Sequence, residues 1–286
     1  MKTKKIDFKT IFPYLGFVGV VLFFQIFSGN RVFTAQNFKA IVNEVFFIII
    51  GVTGYIFIMA QGNLDFSIGS LMGLCCAAAA TGANIHPILA IPVAIAVGAT
   101  GGLLSGFVHA KLKLGSLVGT MATQYVIGGI LLLWLDGGTK MAPLGMLQWN
   151  TMTLKVIVIL VVVMAGLYVY NYTSYGKYSR AIGSCQEAAK QTGVNVPRIK
   201  IMSFVIMGCL AGLLGFFSLI RTGTATVTTG SDLFMNVLCA ALLGGIPLSG
   251  GYGAKFSSVI IGSLTNGLFS QNGYGICLEL ERTINS

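Results

Sequence analysis

The residues able to do chemistry are few and stand far apart. Asp65 lies in Gln61-Gly62-Asn63-Leu64-Asp65-Phe66-Ser67-Ile68-Gly69-Ser70, where two strongly apolar runs meet, and Glu44 is the other carboxylate close to such a run. A charged side chain at mid-membrane depth costs about 2.5 to 3.5 kcal/mol, so it needs a purpose there. With Asn63 and Ser67 beside it, Asp65 suits either of two roles: capping the next helix by accepting from backbone N–H groups, or contacting a substrate. Proton-driven carriers use chains of carboxylates, which this sequence does not have. Arg221 and Asp232 flank the polar stretch 222–231 and read as a solvated pair or a cap. His86 and His109 have no carboxylate or cysteine at metal spacing. Cys75, Cys76, Cys185, Cys209, Cys239 and Cys277 are scattered and read as small packing residues, so no metal site is expected. The Gly176-Lys177 pair is followed by Tyr178 and lacks the upstream glycine of a phosphate-cradling loop; no serine-hydrolase or zinc-protease motif occurs. The chain is expected to be no enzyme and to bind no cofactor itself.

The elements that must position these residues are set by composition. Of 286 residues, 55% are hydrophobic and only 9% charged, and the mean hydropathy is +0.84, far from a soluble domain. The fold class expected is an all-α polytopic membrane protein forming one domain over 1–286. About nine spans are predicted, at 11–27, 41–60, 68–83, 87–109, 117–135, 154–170, 201–220, 233–246 and 256–269. The runs at 68–83 and 233–246 are short and are bounded by glycine-rich polar sequence, which lipid tolerates only where backbone is buried or lines a cavity. Thirty-eight glycines suit close helix packing in lipid. The basic start MKTKKIDFKT precedes a long, bulky, aromatic apolar run without a small-residue exit, so it reads as a retained first helix.

The net charge of +10 forms no basic stripe with interleaved aromatics, which argues against nucleic acid. The cations sit at the ends of apolar runs and orient the chain instead. With the N-terminus in the cytoplasm, twelve of the eighteen Lys and Arg residues fall on the cytoplasmic side. That places 171–200, the longest polar stretch, in the cytoplasm, with a helix-favouring run from Cys185 to Gln191 ended by Gly193. This loop reads either as a handle for a partner or as a solvated connector. A faint internal repeat relates Gly62 to Ser70 (GNLDFSIGS) and Gly244 to Gly253 (GGIPLSGGYG), sharing Phe66-Ser67-Ile68-Gly69 and Leu248-Ser249-Gly250-Gly251. Matching glycine-interrupted segments in two halves point to a transport path between repeats.

At these residues the sequence resembles the sugar-type permease subunits of bacterial binding-protein-dependent ABC importers, of the ribose, galactose, xylose and autoinducer kind. The likeness is carried by QGNLDFSIGS at 61–70, YGKYSRAIGSCQEAAKQTGVN at 175–195, LGGIPLSGGYG at 243–253 and GSLTNGL at 262–268, in order over about 260 residues. The resemblance implies a multi-pass protein of the bacterial cytoplasmic membrane, surrounded by lipid. Its implied partners are cytoplasmic ATP-binding subunits that use the ATP, a second permease copy or paralogue, and an extracytoplasmic solute-binding protein delivering a small polar substrate. It further implies that Arg180, Gly183, Glu187, Ala188, Ala189 and Gly193 lie in the loop docking on the ATPase. Asn63, Asp65, Ser67 and Gly69, with Ser249, Gly250, Gly251 and Asn266, are implied to line or brace the path.

Such permeases normally continue past the Asn266-Gly267-Leu268 stretch into a last apolar helix. Here GYGICLELERTINS reads as too short and polar to span, so that helix is expected to be missing and the chain truncated. A nucleoside or branched-chain amino acid permease, or a non-transporting membrane subunit, stays open as an alternative.

Overall fold

The computed structural model describes residues 8–27, 34–111 and 115–284. Lys2, Lys4, Lys5, Arg31 and Lys113, part of the charge balance above, lie outside the described residues. Eleven α-helices are described: α1 (Phe8–Phe27), α2 (Ala35–Met59), α3 (Ile68–Ile85), α4 (Ala90–Lys111), α5 (Ser116–Leu135), α6 (Met152–Tyr172), α7 (Ser174–Ser184), α8 (Gln186–Gln191), α9 (Val196–Thr222), α10 (Leu233–Leu243) and α11 (Ser257–Ile284). The strands among the described residues are two residues each, Lys140–Met141 paired antiparallel with Thr224–Ala225. The protein is an all-α polytopic membrane protein with at least six helices long and apolar enough to cross a bilayer, α2 to α6 and α9, where α4 counts with the 3-10 turn Pro87–Leu89 before it.

Three predicted elements differ from the structure. The 11 residues of α10 rise only about 16 Å, roughly half the hydrocarbon layer, so α10 does not cross alone. The predicted start of α9 at residue 201 moves back to Val196, because Asn195 accepts from the Arg198 N–H as an N-cap and Pro197 fits the first turn. The tail predicted as a separate polar end is instead the continuation of α11 to Ile284. Leu278, Glu279, Leu280, Glu281 and Arg282 all favour helix, and no proline interrupts them.

Burial follows from which faces meet protein and which meet lipid. Helices α2, α3 and α9 form the centre, with Ile50, Ile56, Cys75, Ala79, Met207 and Leu214 fully buried. Helices α5 and α6 turn Leu133, Leu160 and Met164 outward, as an apolar solvent requires. Lipid supplies no hydrophobic drive between helices, so intimate contact must come from small residues. The crossing of α4 and α9 shows how. A Cβ on Gly98 would stand 2.1 Å from the Gly208 carbonyl oxygen, and one on Gly208 would stand 2.2 Å from that of Gly98; Gly102 and Gly212 continue the seam. The two backbones touch directly.

Gly208→Ala is expected to destabilise the protein by about 2 kcal/mol, the usual scale of overpacking, because backbone and not a flexible side chain must yield. Gly129→Ala, where an added Cβ meets nothing within 4 Å, is expected to be neutral. Thermal unfolding of the two purified variants in detergent, followed by monodisperse protein remaining, checks the contrast.

Candidate functional site

The site is built around irregular backbone between helices, whose N–H groups have no helical partner. After Met59 the chain turns back through Gly62, at φ +72. Gly62 N–H donates to Met59 O at 2.9 Å and Asn63 N–H to Ile58 O at 3.2 Å, closing the end of α2. The next four donors all find side-chain oxygens. Leu64 N–H donates to Ser116 Oγ at 3.2 Å, Asp65 N–H to Tyr55 Oη at 3.1 Å, Phe66 N–H to Thr120 Oγ1 at 3.2 Å, and Ser67 N–H to Asp65 Oδ1 at 2.9 Å. The segment 60–67 is thereby fixed to α2 and α5.

Asp65 acts inside this turn. Its Oδ1 also accepts from Ser67 Oγ at 2.6 Å, and Ser67 Oγ lies 3.1 Å from Ser105 Oγ of α4. As a cap its role is partial: Asp65 accepts the Ser67 N–H ahead of Ile68, while Ser67 at the N-cap position makes no side-chain cap bond. Asp65 is buried and occupied by Ser67, and this holds the turn in place ahead of α3. Asn63 is also buried, and its Nδ2 has no partner among the described residues.

The polar stretch 222–231 runs along α3. Thr224 O lies 3.9 Å from Cys76 Sγ, Thr229 O packs where a Cβ of Gly73 would be, and Gly230 O where a Cβ of Gly69 would be. Only glycine at 69 and 73 leaves that groove open to backbone. The run ends at α10, so α3 and α10 begin side by side, with the rings of Phe66 and Phe234 4.0 Å apart and tilted by 30°. Between α3, α5, this stretch and α10 lies a cavity of about 300 Å³. Arg221 does not pair with Asp232; its guanidinium lies 3.7 Å from Glu44 and over the Phe47 ring, because α9 ends beside α2. That pair lines a second cavity of about 300 Å³.

The two halves of the internal repeat meet where the chain enters α3 and where it leaves α10. Gly251 N–H donates to Ala60 O at 2.8 Å, and a Cβ on Gly250, at φ +72, would stand 2.4 Å from Gly62 N. Helix α7 closes on the same point: a Cβ on Gly183 would stand 2.0 Å from Ala60 O and 2.5 Å from Gly251 N. Gln61 Nε2 donates to Ser203 Oγ at 2.5 Å and to Ser179 Oγ of α7 at 3.4 Å. Arg180 donates to Gly176 O and Tyr170 O, and its guanidinium lies 5.0 Å from the Tyr170 ring centre and 5.8 Å from that of Tyr252.

The loop 171–200 therefore holds two helices, where sequence showed only the second. In α7, Gly176, Ser179 and Ile182 recur every third residue as the buried face, a spacing of small and polar residues that carries little hydropathy signal. In α8, Ala189 packs with Ile182 and Val196, while Glu187 and Ala188 are exposed and Gly193, at φ +84, ends the element as expected. Of the loop residues singled out, Arg180 and Gly183 face inward to the turns, and Glu187, Ala188 and Gly193 face out. Ser249 is exposed at the rim of the repeat contact. Asn266 stands apart from the turns, its Nδ2 donating to Asn236 O at 3.0 Å to tie α11 to α10. Gln124 and Phe234, which line the first cavity beside Ser70, went unremarked in the sequence; an amide in the middle of the apolar run of α5 was the available signal.

Comparison with known proteins fits this architecture. The family model described as "Branched-chain amino acid transport system / permease component" matches residues 37–282. The ribose import permease protein of Escherichia coli (strain K12) is 28% identical over 252 residues, covering 82% of this chain and 78% of that protein. The autoinducer 2 import system permease protein of Shigella flexneri is 31% identical over 257 residues, covering 85% and 74%. The ribose import permease protein of Haemophilus influenzae is 27% identical over 270 residues, covering 88% and 84%. No solved structure matches the chain. With the family model matching residues 37–282, which include the turns described above, this protein belongs to that family of ABC-importer permeases, and as a transport subunit it forms a membrane translocation pathway and is no enzyme.

Proposed function

We propose that the chain is one permease unit of a bacterial inner-membrane importer that takes up a monosaccharide or similar small polar solute. An extracytoplasmic protein delivers the solute, and ATP is hydrolysed in separate cytoplasmic subunits. A second permease copy or paralogue completes the path, and the N-terminus and 171–200 face the cytoplasm. The observation that carries this reading is the junction of Gly183 with Ala60 and Gly251, which seats α7 on both turns of the internal repeat at once. A displacement of α7 has no soft side chain there to absorb it, so it moves the ends of α2 and of the 244–256 connection together. The path residues are then Asn63, Asp65, Ser67, Gly69, Ser249, Gly250 and Gly251, which brace or line it, with Asn266 supporting α10. Glu187, Ala188 and Gly193 present the docking face, Ala189 fastens α8, and Arg180 and Gly183 transmit the motion. The branched-chain wording of the family model favours a second reading, an amino-acid permease, which the same assay decides.

Two variants separate docking from transmission in proteoliposomes holding this chain, its ATPase and its binding protein. Glu187→Arg, on the exposed face, is expected to lose ATP-dependent uptake of the transported sugar at least tenfold together with ATPase co-purification. Gly183→Val is expected to keep the ATPase bound yet lose uptake by a similar factor, since its side chain collides with Ala60 O. Uptake of leucine and of no sugar by the unaltered chain would establish the second reading. ATPase binding without uptake of any solute would make this a non-transporting subunit.

A further inference from the structure

The cavity between α3, α5, 223–232 and α10 carries a statement about the solute. Its usable lining is Phe66, Ser70, Gln124, Thr229, Ser231 and Phe234. Ser70, Gln124 and Ser231 have no side-chain hydrogen-bond partner among the described residues, and none of the three is buried, so their polar groups are available to a ligand. Thr229 Oγ1 is already engaged by Thr226. Gln124 offers both an acceptor and two donors, and each serine hydroxyl offers both kinds, which is what vicinal hydroxyls require. The two phenylalanine rings supply an apolar wall. At about 300 Å³ the cavity sits at the small end of ligand clefts, which run roughly 300 to 1,000 Å³.

Charge decides between solute classes. No Lys, Arg, Asp or Glu lines this cavity; Glu44, Arg221 and Asp232 line the neighbouring one, which shares Ser231 with it. The starts of α3 and α10, whose dipoles favour an anion, each already have a carboxylate of this chain in front of them, Asp65 before Ile68 and Asp232 before Leu233. A ligand carboxylate would meet those charges without a cation to balance them, and a ligand ammonium would lack a counter-ion inside the cavity. We propose that this cavity is the solute-binding site of the path and takes an uncharged, polyhydroxylated ring, hydrogen-bonded by Gln124, Ser70 and Ser231 and packed on Phe66 and Phe234. This rests on the permease reading above.

The test is ATP-driven uptake of radiolabelled ribose, galactose, adenosine and leucine into proteoliposomes, comparing the unaltered chain with Gln124→Ala and Ser231→Ala. The expected result is uptake of a neutral hydroxylated solute, with the KM raised about fivefold in each variant and solute-stimulated ATP hydrolysis at saturation within twofold of normal. Ribose or galactose against adenosine tells a free sugar from a nucleoside. Should Gln124→Ala fail to accumulate in the membrane, Ser231→Ala, at an exposed position, carries the same readout. Neutral-solute uptake with KM unchanged in both variants overturns the site and leaves the permease reading standing. Leucine uptake alone overturns the solute class. No uptake of any probe with the ATPase bound overturns the permease reading and the site with it.

Discussion

Backbone polar groups in a bilayer must be satisfied within the protein, and this structure depends on how four consecutive N–H groups meet that demand. Residues 64–67 are not helical, yet they lie among spanning helices, where each orphaned donor would cost several kcal/mol. Ser116, Tyr55, Thr120 and Asp65 supply one oxygen each. That arrangement explains why a carboxylate is tolerated at 65. It accepts both the N–H and the hydroxyl of Ser67, so its charge is met by hydrogen bonds instead of a counter-ion. It also fixes where α3 begins, and α3 in turn offers the glycine groove in which 223–232 lies. The cavity lies where the adjoining starts of α3 and α10 meet α5 and 223–232.

The second constraint is that close contact in lipid requires missing side chains. The same device appears with two different consequences. Between α4 and α9 the glycines make a long seam of backbone against backbone, which holds two spanning helices as a unit. At Gly183, Gly250 and Gly251 the contact is a single point shared by three segments. A seam resists shear along its length, whereas a point contact passes displacement and leaves the segments free to rotate about it. Tyr170 stiffens that point from the side, its hydroxyl donating to Ala254 O at 2.7 Å while Arg180 lies over its ring.

Much of the fold was legible in the residues. Long apolar runs gave the spanning helices, and the glycine-interrupted motifs at 62–70 and 244–253 marked turns that the structure brings into contact through Gly62 and Gly250. What sequence concealed has physical causes. Helix α7 hides because its buried face is Gly176, Ser179 and Ile182, chosen for close approach and hydrogen bonding instead of hydropathy. The course of 223–232 along α3 hides because its threonines and glycines have the composition of a solvated loop; only the groove at Gly69 and Gly73 gives its backbone a place to lie against the helix. The Glu44–Arg221 pair joins residues far apart in the chain, so the nearer Asp232 drew the assignment. Gln124 was readable as an amide in an apolar helix, but its neighbours in the cavity come from three other segments.

Under the proposed reading, the arrangement also accounts for the scarcity of buried charge. A path for an uncharged solute gains nothing from a fixed ion at its narrowest part, because that ion would have to be desolvated again at every passage. No charged side chain lines the cavity itself. Glu44 and Arg221 pair beside the second cavity, and Arg180 lies against aromatic rings beside the α7 junction. Asp65 is held by its own turn, so it shapes the path without presenting its charge to whatever passes. Selectivity then rests on hydroxyl and amide geometry, and the energy enters from the ATP-hydrolysing partner. The contact of Gly183 with both turns is the place where mechanical work enters such a path most directly, because there the lever and the ends of the path share backbone atoms in contact.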